Sequence, residues 1–140
     1  MIRVFVLSFL LFFNTACSEA LPLCVIEFDN GFKIEKLPQA NTPKTQQKGL
    51  SDLDNIGVGM IFTWSKAQKL SFWMKNTKIA LSIGFFDENG KLFQIDDMQP
   101  YSLDMHRSKK EAKFALELEQ GDFAKHNIAI GAKITKFECK

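Results

Sequence analysis

The sequence predicts a mainly β (α+β) fold: one compact domain, a small β-barrel or sandwich of about seven short strands with two short helices. Short runs rich in β-branched and aromatic residues recur along the chain, as at Cys24–Phe28, Met60–Trp64 and Phe114–Glu119. Turn-forming Asn-Gly pairs stand between such runs, at Asn30-Gly31 and Asn89-Gly90. The stretch Ile79–Phe86 alternates large apolar residues (Ile79, Leu81, Ile83, Phe85) with small ones (Ala80, Ser82, Gly84), which is the period of a strand. The chain has 140 residues, 46% hydrophobic and 24% charged, the size and composition of a single domain.

The chain opens with a distinct segment. Arg3 gives a positive start, and Val4–Phe13 is apolar apart from Ser8. Spanning a bilayer takes roughly 20 apolar residues, so this shorter run, followed by small and polar residues to Ala20, reads as a secretory signal over 1–20. Two processing routes are open. Cleavage after Ala20 places Ser18 and Ala20 at the small-residue positions and leaves a soluble exported domain, 21–140. Thr15-Ala16-Cys17 instead resembles a lipoprotein box that would lipidate Cys17, although Asn14 stands where an aliphatic residue is usual. Either route removes Cys17 from disulfide chemistry. Cys24 and Cys139 are then an even pair, most simply a disulfide in an oxidising compartment.

The elements follow in order. Cys24–Phe28 and Phe32–Leu37 flank Asp29-Asn30-Gly31 and form a hairpin, because Asn and Gly both tolerate positive φ. Thr42 caps a short polar surface helix with Pro43 at its first position, and Gly49 ends it. Ser51–Gly57 is a loop; its Asp52, Asp54 and Asn55 lack the ligand spacing of a calcium-binding EF-hand. Strands are expected at Met60–Trp64, Lys69–Met74 and Ile79–Phe86. The small face of the last lets another group approach closely. The turn Asp87–Gly90 leads into a strand from Lys91 to Met98. Tyr101–Glu111 is a long polar loop. Phe114–Glu119 is a strand, Gly121–Lys125 a short turn or helix, and Lys133–Cys139 the final strand. Cys24, Ile26 and Phe28 share a face of the first strand, as Thr135, Phe137 and Cys139 do of the last, so the cysteines meet if these strands are neighbours.

Several motifs together resemble one family. They are Gly49-Leu50, Gly59-Met60-Ile61-Phe62, Phe72-Trp73-Met74-Lys75-Asn76-Thr77, Met98 with Pro100, Leu116-Glu117-Leu118, and Gly121. The chain thereby resembles the domain-of-unknown-function family 192, also called uncharacterised protein family 127, from about Gly49 to Gly131. The Trp-Met-x-Asn-Thr core is the most specific match. The resemblance implies a compact, mainly β fold with a small barrel and a few helices, frequent export, and no established reaction. Two departures bear on chemistry: Ser51-Asp52-Leu53 follows Leu50 where the family carries an Arg, and Leu81-Ser82 replaces its Leu-Asp.

The candidate binding residues are Trp73, Lys75, Asn76 and Thr77, with Met98, Pro100, Tyr101 and Glu117. An aromatic platform beside amide and hydroxyl groups is what sugar and peptide sites use. The competing structural role has Trp73 and Met74 filling the core while Asn76 and Thr77 bond the backbone at a strand end. Glu117 alternates away from Leu116 and Leu118 and is expected to face solvent; on a central strand it would be a buried acid needing a partner such as Lys75. Asp96, Asp97, Asp104 and His106 form an acidic constellation. Adjacent Asp96 and Asp97 point to opposite faces of a strand, and His106 and His126 have no metal-ligand spacing, so solvated turn charges are expected.

These residues favour binding over catalysis, with no catalytic residues, metal or cofactor. The chain is expected to be an exported protein of the bacterial periplasm or outer envelope, monomeric, touching the membrane only through a lipid on Cys17, and binding an envelope ligand or protein partner. A hydrolase acting on envelope polysaccharide or peptide through Asp97, Asp104 or Glu117 is the alternative, and a structural envelope protein the second. A net charge of +2 with dispersed lysines argues against nucleic acid.

Overall fold

The computed structural model describes residues 20–140; the expected signal segment and Cys17 lie outside them. The described chain is mainly β. In order it runs β1 (Leu23–Phe28), β2 (Lys33–Ala40), α1 (Pro43–Lys48), β3 (Met60–Gln68), β4 (Ser71–Phe72), β5 (Leu81–Phe86), β6 (Leu92–Met98), β7 (His106–Arg107), β8 (Ala112–Glu119), α2 (Asp122–Lys125) and β9 (Ile134–Cys139). Seven strands form one sheet in the order β6-β5-β8-β3-β2-β1-β9, and β4 and β7 pair as a separate ribbon. All pairings are antiparallel except β2 with β3, which are parallel. Parallel neighbours need a crossover, and α1 supplies it.

Twist curls the sheet into a half-barrel until its two edge strands approach at one end. Leu92 on β6 donates its N–H to Ala132 O (2.9 Å) and accepts from Gly131 N–H (2.8 Å), just before β9. Phe28 of β1 and Phe86 of β5 stand at distant places in the strand order, yet their rings lie 6.2 Å apart across the concave interior. That interior holds one core, built on Ile26, Phe28, Leu37, Ile61, Phe86, Leu92, Leu116 and Phe123. A second core lies on the outer face of β3, β8, β5 and β6, where Met60, Phe62, Met74, Leu81, Ile83, Phe85 and Ala115 are buried. The central strands are therefore covered on both sides, and all six residues of β5 are buried.

The small face of β5 is used as its composition suggests. A Cβ on Gly84 would lie 2.8 Å from the Phe123 ring, so the missing side chain is the space that α2 fills. At the chain ends, Leu23 and Lys140 exchange both backbone hydrogen bonds at 3.0 Å. Cys24 and Cys139 are therefore the next, non-hydrogen-bonded pair, with Cα atoms 4.0 Å apart, and they form the expected disulfide.

Two sequence expectations change in detail. The Lys69–Met74 strand shrinks to Ser71–Phe72, because the chain leaves its pairing with Arg107 and His106 and turns at Met74–Thr77. The long loop after Tyr101 contributes the partner strand β7, whose two residues are too short to show a period.

Candidate functional site

The turn after β4 has clear local causes. Thr77 N–H donates to Met74 O at 3.1 Å, and Asn76 adopts φ 56°, a left-handed conformation that Asn tolerates better than most residues. Three flanking bonds hold this turn in place: Asp52 N–H to Asn76 O (2.8 Å), Met74 N–H to Ser102 O (3.0 Å) and Tyr101 N–H to Thr77 O (2.9 Å). Met74 enters the outer core at 1% exposure, so its neighbour Trp73 must point the other way and is 48% exposed. Of the proposed structural roles, core filling thus belongs to Met74 and not to Trp73. Thr77 is buried and donates its hydroxyl to Lys75 O at 3.2 Å. Lys75 Nζ lies 5.3 Å from the Trp73 ring centroid.

On the opposite side, α1 is held by a capping box: Thr45 N–H donates to Thr42 Oγ1 (3.2 Å) and Thr42 N–H to Thr45 Oγ1 (3.0 Å). Its Gln46 amide donates to Thr63 O at 2.8 Å, which pins this fully polar helix to β3.

Between the turn and the end of α1 lies a cleft of about 520 Å³ over the outer face of the sheet, within the size range of small-molecule sites. Phe62, Trp64, Phe72 and Trp73 supply aromatic surface, and Lys48, Lys75, Asn76 and Gln47 supply polar groups. The Phe72 ring meets Phe62 edge-on at 5.0 Å and Trp64 at 6.2 Å, so the aromatic wall is a packed cluster.

Glu117 also lines this cleft. It sits on β8 between Met60 of β3 and Ile83 of β5, both buried apolar residues. It is itself 5% exposed, which corrects the expectation that it faces solvent. The reason is tertiary: β8 is a central strand, and the face opposite Leu116 and Leu118 is roofed by the second core. No hydrogen bond or ion pair reaches its carboxyl among the described residues, and neither oxygen is sealed away from the cleft. Loss of water pushes its pKa from 4.5 up to about 8. Burial therefore favours the protonated, neutral carboxyl. The expected Lys75 partner rests on Trp73 instead.

The backbone approach beneath it is close. Gly59, at φ 97°, precedes β3 so tightly that a Cβ there would lie 2.2 Å from Glu117 O. Only glycine satisfies both the positive φ and the missing volume.

The remaining candidates fall elsewhere. Met98 is a core residue, and Pro100 and exposed Tyr101 stand behind the turn without lining the cleft. Asp96 and Asp97 do point to opposite faces. Asp97 accepts a 2.6 Å hydrogen bond from Ser82 Oγ, whereas Asp96 accepts from Gln94 (3.0 Å) and lies 3.6 Å from His106 Nδ1. Both lie on β6; Asp97 is solvent-exposed, as expected, whereas Asp96 is partly buried and partnered and is no solvated turn charge. Asp104 is exposed on its loop. No cluster of metal-ligating side chains occurs among the described residues. Phe62 and Phe72 belong to the motifs that carry the resemblance and Trp64 to an expected strand, but none of the three is among the candidate binding residues read from the sequence. The period-2 placement of Phe62 and Trp64 on one face of β3 is the signal by which those two could be found.

The motif segments around Gly49, Phe62, Trp73 and Glu117, dispersed along the sequence, thus line one cleft. The DUF192 family, described as Uncharacterized ACR, matches residues 25–136. The chain belongs to the DUF192 family. No curated protein matches it. Two solved structures share the fold. One is a candidate transcription regulator from Sinorhizobium meliloti, 22% identical, covering 86% of this chain and 94% of that one with a TM-score of 0.73. The other is a protein of unknown function from Novosphingobium aromaticivorans, 25% identical, covering 86% and 89% with a TM-score of 0.75. The fold of this chain is therefore shared with both structures over most of its length, and the family match spans the strands that frame the cleft.

Proposed function

We propose that this DUF192 chain is an exported, non-catalytic domain of the bacterial envelope that binds a ligand or partner in the cleft above Glu117. The observation that carries the binding part is Trp73, half-exposed and lining a 520 Å³ cleft while its neighbour Met74 fills the core. Exposing an indole costs burial energy, about 2 kcal/mol for a large apolar side chain, and binding is the use that offsets it. The export part rests on the apolar leader and on the Cys24–Cys139 bond, since disulfides persist in oxidising compartments. A hydrolytic alternative is less well supported. It needs two converging carboxyls, and among the described residues Glu117 is the one acid that lines the cleft. The regulator description of the Sinorhizobium protein finds no support in a net charge of +2.

The test is native mass spectrometry of the full chain purified from bacterial envelope fractions, beside Trp73→Ala. A bound species present in the first and lost in the second supports binding. Equal occupancy, or retention of the unprocessed chain in the cytoplasm, overturns the corresponding half of the proposal. The same spectrum reads the first residue of the processed chain and any lipid on Cys17.

A further inference from the structure

The cleft contains an unusual combination: one carboxyl, more than nine-tenths buried and without a partner among the described residues, in a lining that also includes aromatic side chains. Hydrogen bonding within the protein does not explain it, because no described residue bonds its oxygens. A structural acid of this kind is normally paired. Its strand neighbours Met60 and Ile83 are buried and apolar, a setting in which an apolar residue of similar volume is often as stable or more so. What the fold preserves is a latent negative charge at the bottom of an apolar, aromatic-walled cleft.

The charged groups around it decide which ligand it suits. Lys48 stands at the rim, 2.9 Å from Asp52, and its charge is thereby offset. Lys75 also lines the cleft, but its ammonium lies over the Trp73 ring and is exposed to water, which screens its charge. Along the strand row that carries Glu117, Ile83 comes next and then Asp96, which lies near His106. No cation comes within ion-pair distance of Glu117 among the described residues, and its perturbation comes from desolvation alone. A neutral ligand would leave that desolvation unrelieved. A ligand cation would pair with the carboxylate beside the partly exposed rings of Phe72 and Trp64, which line the same cleft.

Building on the binding function proposed above, we infer that the DUF192 cleft takes a ligand bearing an organic cation, an ammonium or guanidinium group, with Glu117 as its counter-ion and the surrounding rings as its cage. Binding then requires the Glu117 proton to leave for solvent, so affinity is linked to pH. For a cation that does not itself titrate, affinity rises about tenfold per pH unit below the carboxyl pKa and levels off above it.

The experiment uses the purified chain with its disulfide intact and four probes: choline, its neutral isostere 3,3-dimethylbutan-1-ol, arginine and citrulline. Binding is followed by NMR at pH 6, 7 and 8, with the Glu117 side-chain carboxyl ¹³C shift reporting ionisation. Choline and arginine should bind more tightly than their neutral counterparts. Choline affinity should increase about tenfold from pH 6 to 7, and the Glu117 carboxyl should ionise on binding. Glu117→Gln, whose fold is checked by circular dichroism, should lose both the preference and the pH slope. Equal affinity for cation and isostere, a flat pH profile, unchanged choline binding by Glu117→Gln, or no response to any probe overturns the assignment. A neutral species found in the cleft by native mass spectrometry would overturn it while leaving the binding function standing. An empty cleft in that measurement would instead remove the binding function itself.

Discussion

Replacing Glu117 by Gln should change how stability depends on pH more than it changes stability at any one pH. The carboxyl titrates at 4.5 when unfolded and at about 8 in the folded protein. Below pH 4.5 both states carry the proton, and Glu117 contributes no pH dependence. Between 4.5 and about 8 the folded state binds one more proton than the unfolded state, so unfolding releases it and stability falls as pH rises, by about 1.4 kcal/mol per pH unit. Over the whole window the loss is about 5 kcal/mol, comparable with the total stability of many small domains. Gln is isosteric and uncharged, so Glu117→Gln removes this slope. The assay is urea unfolding of both proteins at pH 5, 6, 7 and 8 with the disulfide intact. The stability difference, variant minus wild type, should grow by about 1.4 kcal/mol per unit and flatten above pH 8. With slopes of about 1–3 kcal/mol/M, the midpoints should separate by a molar unit or more. A difference that stays constant across the series would mean that the carboxyl is hydrated or paired in the folded protein, and would refute the burial on which the site rests.

Other substitutions test the frame around the cleft. Gly59→Ala should cost about 3 kcal/mol or more in urea unfolding, since its Cβ would meet Glu117 O at 2.2 Å in a left-handed backbone. Replacing Cys24 and Cys139 together by Ser should cost about 5 kcal/mol on the chain-entropy account, because the bond closes a separation of 115 residues; an unchanged melting temperature would contradict it. Asn30→Ala should cost about 1–2 kcal/mol in the same assay. Its amide donates to His126 O (3.0 Å) and Asn127 O (2.9 Å) while its oxygen accepts from Phe32 N–H (2.9 Å). Trp73→Ala should leave stability within about 0.5 kcal/mol, as expected for an exposed position; a larger loss would assign Trp73 a packing role.

Asn30 illustrates how far local rules reach. The Asn-Gly pair announced the hairpin, and Gly31 adopts φ 84° as such a turn requires. The Thr42-Pro43 helix start, the alternation of β5 and the pairing of Cys24 with Cys139 were legible for similar reasons. Each depends on residues close in sequence, or on a parity that only one partner satisfies. The short ribbon of β4 and β7 was not legible, because two paired residues have no period to detect. Its position follows from the hydrogen bonds that draw Ser102 and Ser108 toward Met74 and Leu70.

The candidate site divides along the same line. Sequence alone determined the mainly β fold, the family resemblance, and the Trp73–Thr77 segment as a dense set of groups able to make contacts. It also determined the parity of Glu117, opposite in face to Leu116 and Leu118. Which of those faces meets water is not a property of parity. Tertiary structure decided it by making β8 a central strand and packing a second core over its outer face, which turned an apparently solvated acid into a buried one. The same packing put Met74 inside and Trp73 outside and brought distant motifs around one cleft. A strand's alternation sorts its side chains into two sets; only the layers stacked above and below the sheet determine the dielectric each set experiences.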